Sequence, residues 1–411
     1  MMQEVLSGQP AVSEGKPPTA DNRFLTAAGA GQLPRPGPPT ICRVPMLRRA
    51  LPILLALAVA ATGTGCGTAG RAGSSASARG THAGARTASP GARGAGGAIP
   101  AAAPVRTDVP EPARAPALTQ APAGTVLPMP GAPEGLAVDQ PDGILAVGLR
   151  RPDAVALVSV LTGRVRKIVR LPGAPRHLQL AGPAGPVLVP AEQVGQLFQV
   201  ALPGGTVVAD TRVGRQPHDA AAAGPVVFVG NEYSNTVSMV RGGRQIAVEP
   251  APLQPGGVAA ARDGSAVVVI GVRGRRIEAY APDGRPLGIA PVGVGPTHVR
   301  AAPNGLFYVA DTEGDAVIVF RVTAAGPRQV GSARTQCCAP YGIAIDGRRS
   351  VVYLTLTASN LLESFRISGT GLVPGRTWPT VRQPDDVAVD ETTGRVFVAG
   401  TDRDQLQLID P

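Results

Sequence analysis

Residues 214–223 read GRQPHDAAAA, with a proline, His218 and Asp219 directly ahead of a run of small apolar residues. Six other stretches share this arrangement: PGAPEGLAVD (130–139), PGAPRHLQLA (172–181), PLQPGGVAAA (252–261), GVGPTHVRAA (293–302), QCCAPYGIAID (336–346) and VRQPDDVAVD (381–390). Their common prolines, Pro133, Pro175, Pro217, Pro255, Pro296, Pro340 and Pro384, are spaced by 42, 42, 38, 41, 44 and 44 residues. A self-similar period of this length marks a repeat architecture.

Each unit follows one order. A short apolar stretch after the proline is followed by a turn and a strand rich in β-branched and aromatic residues, such as VVFVG (226–230), LFYVAD (306–311) or RVFVAG (395–400). A third strand follows, as in NTVSMV (235–240), DAVIVF (315–320) and QLQLID (405–410). A fourth, such as TVVADTRVG (206–214), leads to the next proline. Turn residues between β-branched runs predict strands, and four short strands per unit of about 40 residues predict a β-propeller blade. The reading is therefore an all-β, seven-bladed β-propeller over 124–411. The seventh unit ends at Pro411 after its third strand, while TVLPMPGAP (125–133) reads as a fourth strand without a blade. Pairing the two closes the ring and removes two open sheet edges.

The stretches FVGNEYSNTVSMV (228–240) and YVADTEGDAVIVF (308–320) resemble the YVTN repeat and its NHL-type cousin. The chain resembles YncE-like, YVTN-repeat propellers of bacterial envelopes over its whole repeat region. That resemblance implies the fold. It implies little about activity, because such propellers serve as enzymes, cofactor scaffolds and binding platforms.

The N-terminal part is built differently. Residues 1–45 are Pro-rich, lie upstream of a good start at Met46, and read as an extension from a start codon assigned too early. Residues 46–65 carry Arg48 and Arg49, then an apolar run from Leu51 to Ala61, the order of an export signal. TGTGC (62–66) resembles a bacterial lipobox with Gly63 where Leu is usual, which implies cleavage before Cys66 and its acylation. An ordinary secretory signal is the alternative. Residues 66–123 are rich in Ala, Gly, Ser and Pro, too poor in large apolar side chains to offset chain entropy, and predict a flexible linker. The expected location is the outer face of the cytoplasmic membrane, held by lipid on Cys66, with envelope proteins or cell-wall components as partners.

The net charge of +10 is unevenly spread: twelve Lys/Arg and five Asp/Glu precede Gly124, against twenty-seven and twenty-four from there on. A nearly balanced repeat region argues against nucleic-acid binding. Nucleophile elbows, Walker loops, zinc-protease helices and dinucleotide fingerprints are all absent from the sequence.

In a propeller the first strand of each blade lines the central channel, so residues just after the prolines form rings at one end of it. One position after the proline stand Glu134, Arg176, His218, Gly256, Thr297, Tyr341 and Asp385. Two positions after stand Gly135, His177, Asp219, Gly257, His298, Gly342 and Asp386. Three of the four histidines fall in these rings. Imidazole and carboxylate suit a divalent metal, and His177, Asp219, His298 and Asp386 share a register, so these four are the candidate ligands. Glu134, Arg176, His218, Tyr341 and Asp385 complete a candidate ligand-binding mouth. Polar residues that merely satisfy backbone groups and channel water are the competing explanation. The adjacent Cys337 and Cys338 have no other partner in the mature chain and are a candidate vicinal disulfide, with free thiols as the alternative. The functional expectation is a binding or interaction platform. The alternatives are a metal-dependent hydrolase, lactonase or lyase at the channel mouth, and an accessory subunit of an envelope redox or export complex.

Overall fold

A computed structural model describes residues 112–411. Cys66, the expected export signal and most of the expected linker lie outside the described residues. The described chain forms seven four-stranded antiparallel sheets arranged as a propeller. Blades 1 to 6 are consecutive in sequence and span 133–170, 179–212, 217–250, 255–291, 296–334 and 340–379. Blade 7 takes three strands from 384–409 and its outermost strand, Thr125–Pro128, from the other end of the chain. Thr125 pairs with Leu408 and Pro128 with Gln405, the ring closure expected from the sequence.

Seven buried apolar clusters hold the ring, one at each blade–blade contact. Leu136, Leu145 and Val147 of blade 1 pack on Phe397 and Leu406 of blade 7, and Ala344 and Tyr353 of blade 6 on Val387 and Val398 of blade 7. A middle strand such as Val226–Asn231 is covered on both faces and buried throughout, which is why it reads VVFVGN without polar alternation. The outermost strands face solvent on one side, and Val165–Arg170 is exposed at five of its six positions.

Side chains also latch each blade to the next. The residue ahead of the third strand has positive φ in blades 3 to 7: Asn235, Arg275, Asp315, Asn360 and Asp404. Asn and Asp tolerate this conformation better than most side chains. Their carboxamide or carboxylate oxygens then accept the backbone N–H of the residue just before the next shared proline. Asn235 takes Gln254 at 2.8 Å, Asp315 takes Ala339 at 2.9 Å, and Asn360 takes Gln383 at 3.1 Å. Asp404 takes Ala132 across the ring closure. The four donor residues, Ala132, Gln254, Ala339 and Gln383, have positive φ as well, so each latch fixes a backbone conformation that is costly for a residue with a side chain.

The end of the expected linker is anchored. Ala113 donates to Thr357 Oγ1 and Ala115 to Gln383 Oε1, while the carbonyl of Pro116 accepts from Asn360 and Arg382. Residues 113–116 thus lie against blades 6 and 7 rather than hanging free. Their backbone groups find side-chain partners that composition alone does not reveal.

Candidate functional site at the two ends of the channel

At the proline end the innermost strands approach closely. A Cβ at Gly135 would meet the Arg176 carbonyl oxygen at 2.2 Å, and one at Gly342 the Asp385 carbonyl oxygen at 2.6 Å. Glycine at these two positions lets neighbouring strands come together and narrows the channel.

Into this neck project charges that satisfy one another. Glu134 accepts from Arg150 at 2.8 Å and from Arg176 at 2.6 Å. Glu192 accepts from Arg150 at 2.8 Å, and Arg176 Nε lies 3.0 Å from its other oxygen. The result is a closed ring of two carboxylates and two guanidiniums. Burial opposes the charge on Glu134, but Arg176 and Arg150 outweigh it and hold the carboxyl below its ordinary range. Arg150 and Glu192 were not among the candidates from the sequence. Both stand at the end of a second strand, and the signal for them was the alignment of strand ends rather than of prolines: Glu192 and Glu232 each directly follow that strand in successive blades.

His177, His218 and His298 meet beside this ring. Their ring centroids are 4.1 Å (177–298), 4.8 Å (177–218) and 5.6 Å (218–298) apart, and one nitrogen of each lies within 4.8 Å of the others. All three are buried, at 1%, 3% and 2% exposure. His298 Nδ1 is 3.1 Å from the Tyr341 carbonyl oxygen, and the Tyr341 ring stands edge-on to it. Neither nitrogen of His177, nor Nε2 of His298, has a hydrogen-bond partner. Burial, reinforced by Arg176, pushes His177 down to about 3, and burial depresses the other two as well, so all three are neutral at physiological pH.

The four-residue ligand set expected from one shared register does not assemble as such. Asp219 and Asp386 serve as blade-to-blade acceptors. Asp386 takes Leu136 N–H of blade 1 and its own neighbour Val387 N–H, each at 2.9 Å. Asp219 takes Val258 N–H of blade 4, Ala220 N–H, Gln179 Nε2 and Arg300 Nη1. The reason is a register shift after the shared proline, seen in blades 1 and 3 to 7. Such bulges re-aim side chains, and His218 from one ring thereby joins His177 and His298 from the other. Asp386 Oδ2 still lies 3.8 Å from His177 Nδ1. Asp385 is buried with Oδ2 unpartnered, its pKa raised well above the ordinary value by burial and then by Glu134. It forms a second convergent group with Glu134 and His177.

The expected open mouth is thus a plug. The space left beside His218, His298 and Tyr341 is about 10 Å³, roughly what one water needs, while a separate cavity of about 350 Å³ lies next to it between blades 3 and 4, lined by Arg215, Glu232, Gln254 and Arg273. Cys337 and Cys338 are free thiols on the loop leading to Pro340 rather than the vicinal disulfide favoured from the sequence. Adjacent Cα atoms are only about 3.8 Å apart, short of the roughly 4.4–6.8 Å usual for a disulfide.

The far end is open. A funnel of about 740 Å³ is lined by Ala137, Ala222, Ala260, Ala301 and Ala344, with Arg300 and Gln179 among the inner strands. Arg262 and Arg348 are exposed at its rim. Arg262 pairs with Glu391, and Arg300 is held by Asp219 and the Val299 carbonyl. The alanines keep the walls thin and apolar, and the guanidiniums supply the polar contacts.

No family model matches this sequence, and a comparison with curated proteins finds no match. Among solved structures, hydrazine synthase of Kuenenia stuttgartiensis is similar with a TM-score of 0.59 and 15% identity, over 69% of this chain and 96% of that one. A streptogramin B lyase gives 0.59 and 13%, over 70% and 96%. The Swd1 β-propeller domain of Myceliophteria thermophila gives 0.60 and 10%, over 70% and 100%. At these identities the likeness establishes the propeller fold and nothing finer.

Proposed function

We propose that this chain is an exported, lipid-anchored propeller of YVTN type that captures a small organic anion in the far-end funnel. The observation that carries the reading is the polarity of the channel. One end is filled by mutually paired side chains, while the other opens into about 740 Å³, within the roughly 300–1,000 Å³ usual for ligand sites. Alanine walls offer apolar contact, and Arg300, fixed by buried Asp219, offers an oriented cation to a carboxylate. The export signal at 46–65 and Cys66 support a membrane-tethered location.

The test is a thermal-shift titration with straight-chain carboxylates and their primary amides as probes. Octanoate is expected to stabilise the protein and octanamide not, and Arg300→Gln to abolish the difference. Equal effects of acid and amide, or none from any chain length, contradict the anion reading. Fatty-acid labelling of cells checks the anchor: incorporation is expected in the natural chain and lost in Cys66→Ser, and an unlabelled natural chain contradicts it.

A further inference from the structure

We infer that His177, His218 and His298 hold a borderline divalent metal ion, zinc in type, at the closed end of the channel. Three observations meet there. The imidazole nitrogens converge within 4.8 Å of one another from three different blades. Both nitrogens of His177 and Nε2 of His298 are buried without a hydrogen-bond partner, a condition rare for buried polar atoms and one that calls for an ion or water. The space beside His218 and His298 is about 10 Å³, of the size that an ion or a single water takes.

The chemistry of the donors selects the ion. Neutral imidazole is a borderline ligand suited to zinc and its first-row neighbours, whereas calcium and magnesium require oxygen. Carboxylates stand close enough to balance the charge. Asp386 Oδ2 is 3.8 Å from His177 Nδ1, and the unpartnered Asp385 Oδ2 overlaps the site through His177. The Arg150 and Arg176 guanidiniums are engaged by Glu134 and Glu192, so their charge is already compensated. A metal here joins blades 2, 3 and 5 across the channel axis. Its three imidazole ligands are buried, so the metal serves as a pin between blades. This inference is independent of the funnel at the other end.

The experiment uses the full chain, purified without chelator or polyhistidine tag. Elemental analysis and titration of the apo-protein with Zn(II) are the first readout, and the visible spectrum of the Co(II) form is the second. About one equivalent per chain is expected, with a Co(II) spectrum of nitrogen ligation and a raised Tm. His177→Phe and His298→Phe retain apolar bulk and are expected to weaken Zn(II) binding by at least about 100-fold. Circular dichroism verifies that each variant is folded. Asp219→Asn is expected to retain the metal, because Asp219 is a blade-to-blade acceptor outside the imidazole group. Absence of Zn(II) and Co(II) binding in the natural chain overturns the inference, as does metal retained by the folded histidine variants.

Discussion

At the proline end, Glu134, Arg176 and three imidazoles from the innermost strands meet Arg150 and Glu192 from the ends of second strands and leave about 10 Å³ beside the imidazoles. A few residues further along, the same strands carry Ala137, Ala222, Ala260, Ala301 and Ala344 and leave about 740 Å³. The backbone scaffold is common to both. The difference lies in side-chain length and pairing: long polar groups that satisfy one another close a channel, whereas short apolar ones leave room that a ligand must fill. Glycines at 135 and 342 sharpen the contrast by letting neighbouring strands approach closely at the closed end.

The comparison is broken most severely by removing one member of the charged ring. Glu134→Ala leaves Arg176 facing a lost partner in a buried site, and is expected to cost about 3–5 kcal/mol in urea unfolding. The control is Arg262→Ala at the funnel rim, where the 45% exposed Arg262 side chain pairs with Glu391 and a smaller change of about 1 kcal/mol is expected. Similar costs for the two would show that the ends are not energetically distinct.

Next in size is Asp386→Ala. It strands the N–H groups of Leu136 and Val387 between blades 7 and 1, with an expected cost of about 1–3 kcal/mol. Loss of less than about 0.5 kcal/mol would mean that this latch is replaced by water.

Acid separates the ends as well. In the metal-free protein, His177 titrates at about 3 when folded and near its ordinary value of 6.5 when unfolded. Between these values the unfolded state binds more protons, so this group's contribution to stability falls as pH drops below about 6.5. The raised pKa values of Asp219, Asp385 and Asp386 work in the opposite direction. The difference between the natural chain and His177→Leu isolates the histidine. Stability of the natural chain relative to the variant is expected to decline from pH 7 to pH 5, and a flat difference would contradict a neutral buried imidazole.

The smallest effect concerns Cys338. Its hydrogen bond with Cys337, then burial, raises its thiol pKa to about 11. Only the thiolate reacts, so alkylation by iodoacetamide is expected to be slow at pH 7.5 and to rise about tenfold per pH unit towards 11. Fast labelling at neutral pH would refute it.

Much of the fold was legible in the sequence, for identifiable reasons. The shared prolines and the orphan strand TVLP at 125–128 gave blade number and closure, because each blade repeats one pattern of strands and turns. The proline rings placed Glu134, Arg176 and the histidines at one end of the channel. Three things were hidden. Arg150 and Glu192 reach the neck from second strands, so counting from the prolines misses them. The register shift after the shared proline in blades 1 and 3 to 7 re-aims neighbours, so His218 and His298 meet although they occupy different positions in the repeat. The open end carries mostly alanine, which has no motif to recognise.

One paired titration reaches the central claim directly. Octanoate binding is measured in the natural chain, in Ala222→Trp, which fills the funnel, and in His298→Phe, which alters the plug. The account predicts that Ala222→Trp abolishes binding while leaving stability within about 0.5 kcal/mol, and that His298→Phe leaves binding unchanged. Binding that survives the filled funnel but is lost with the altered plug would contradict it.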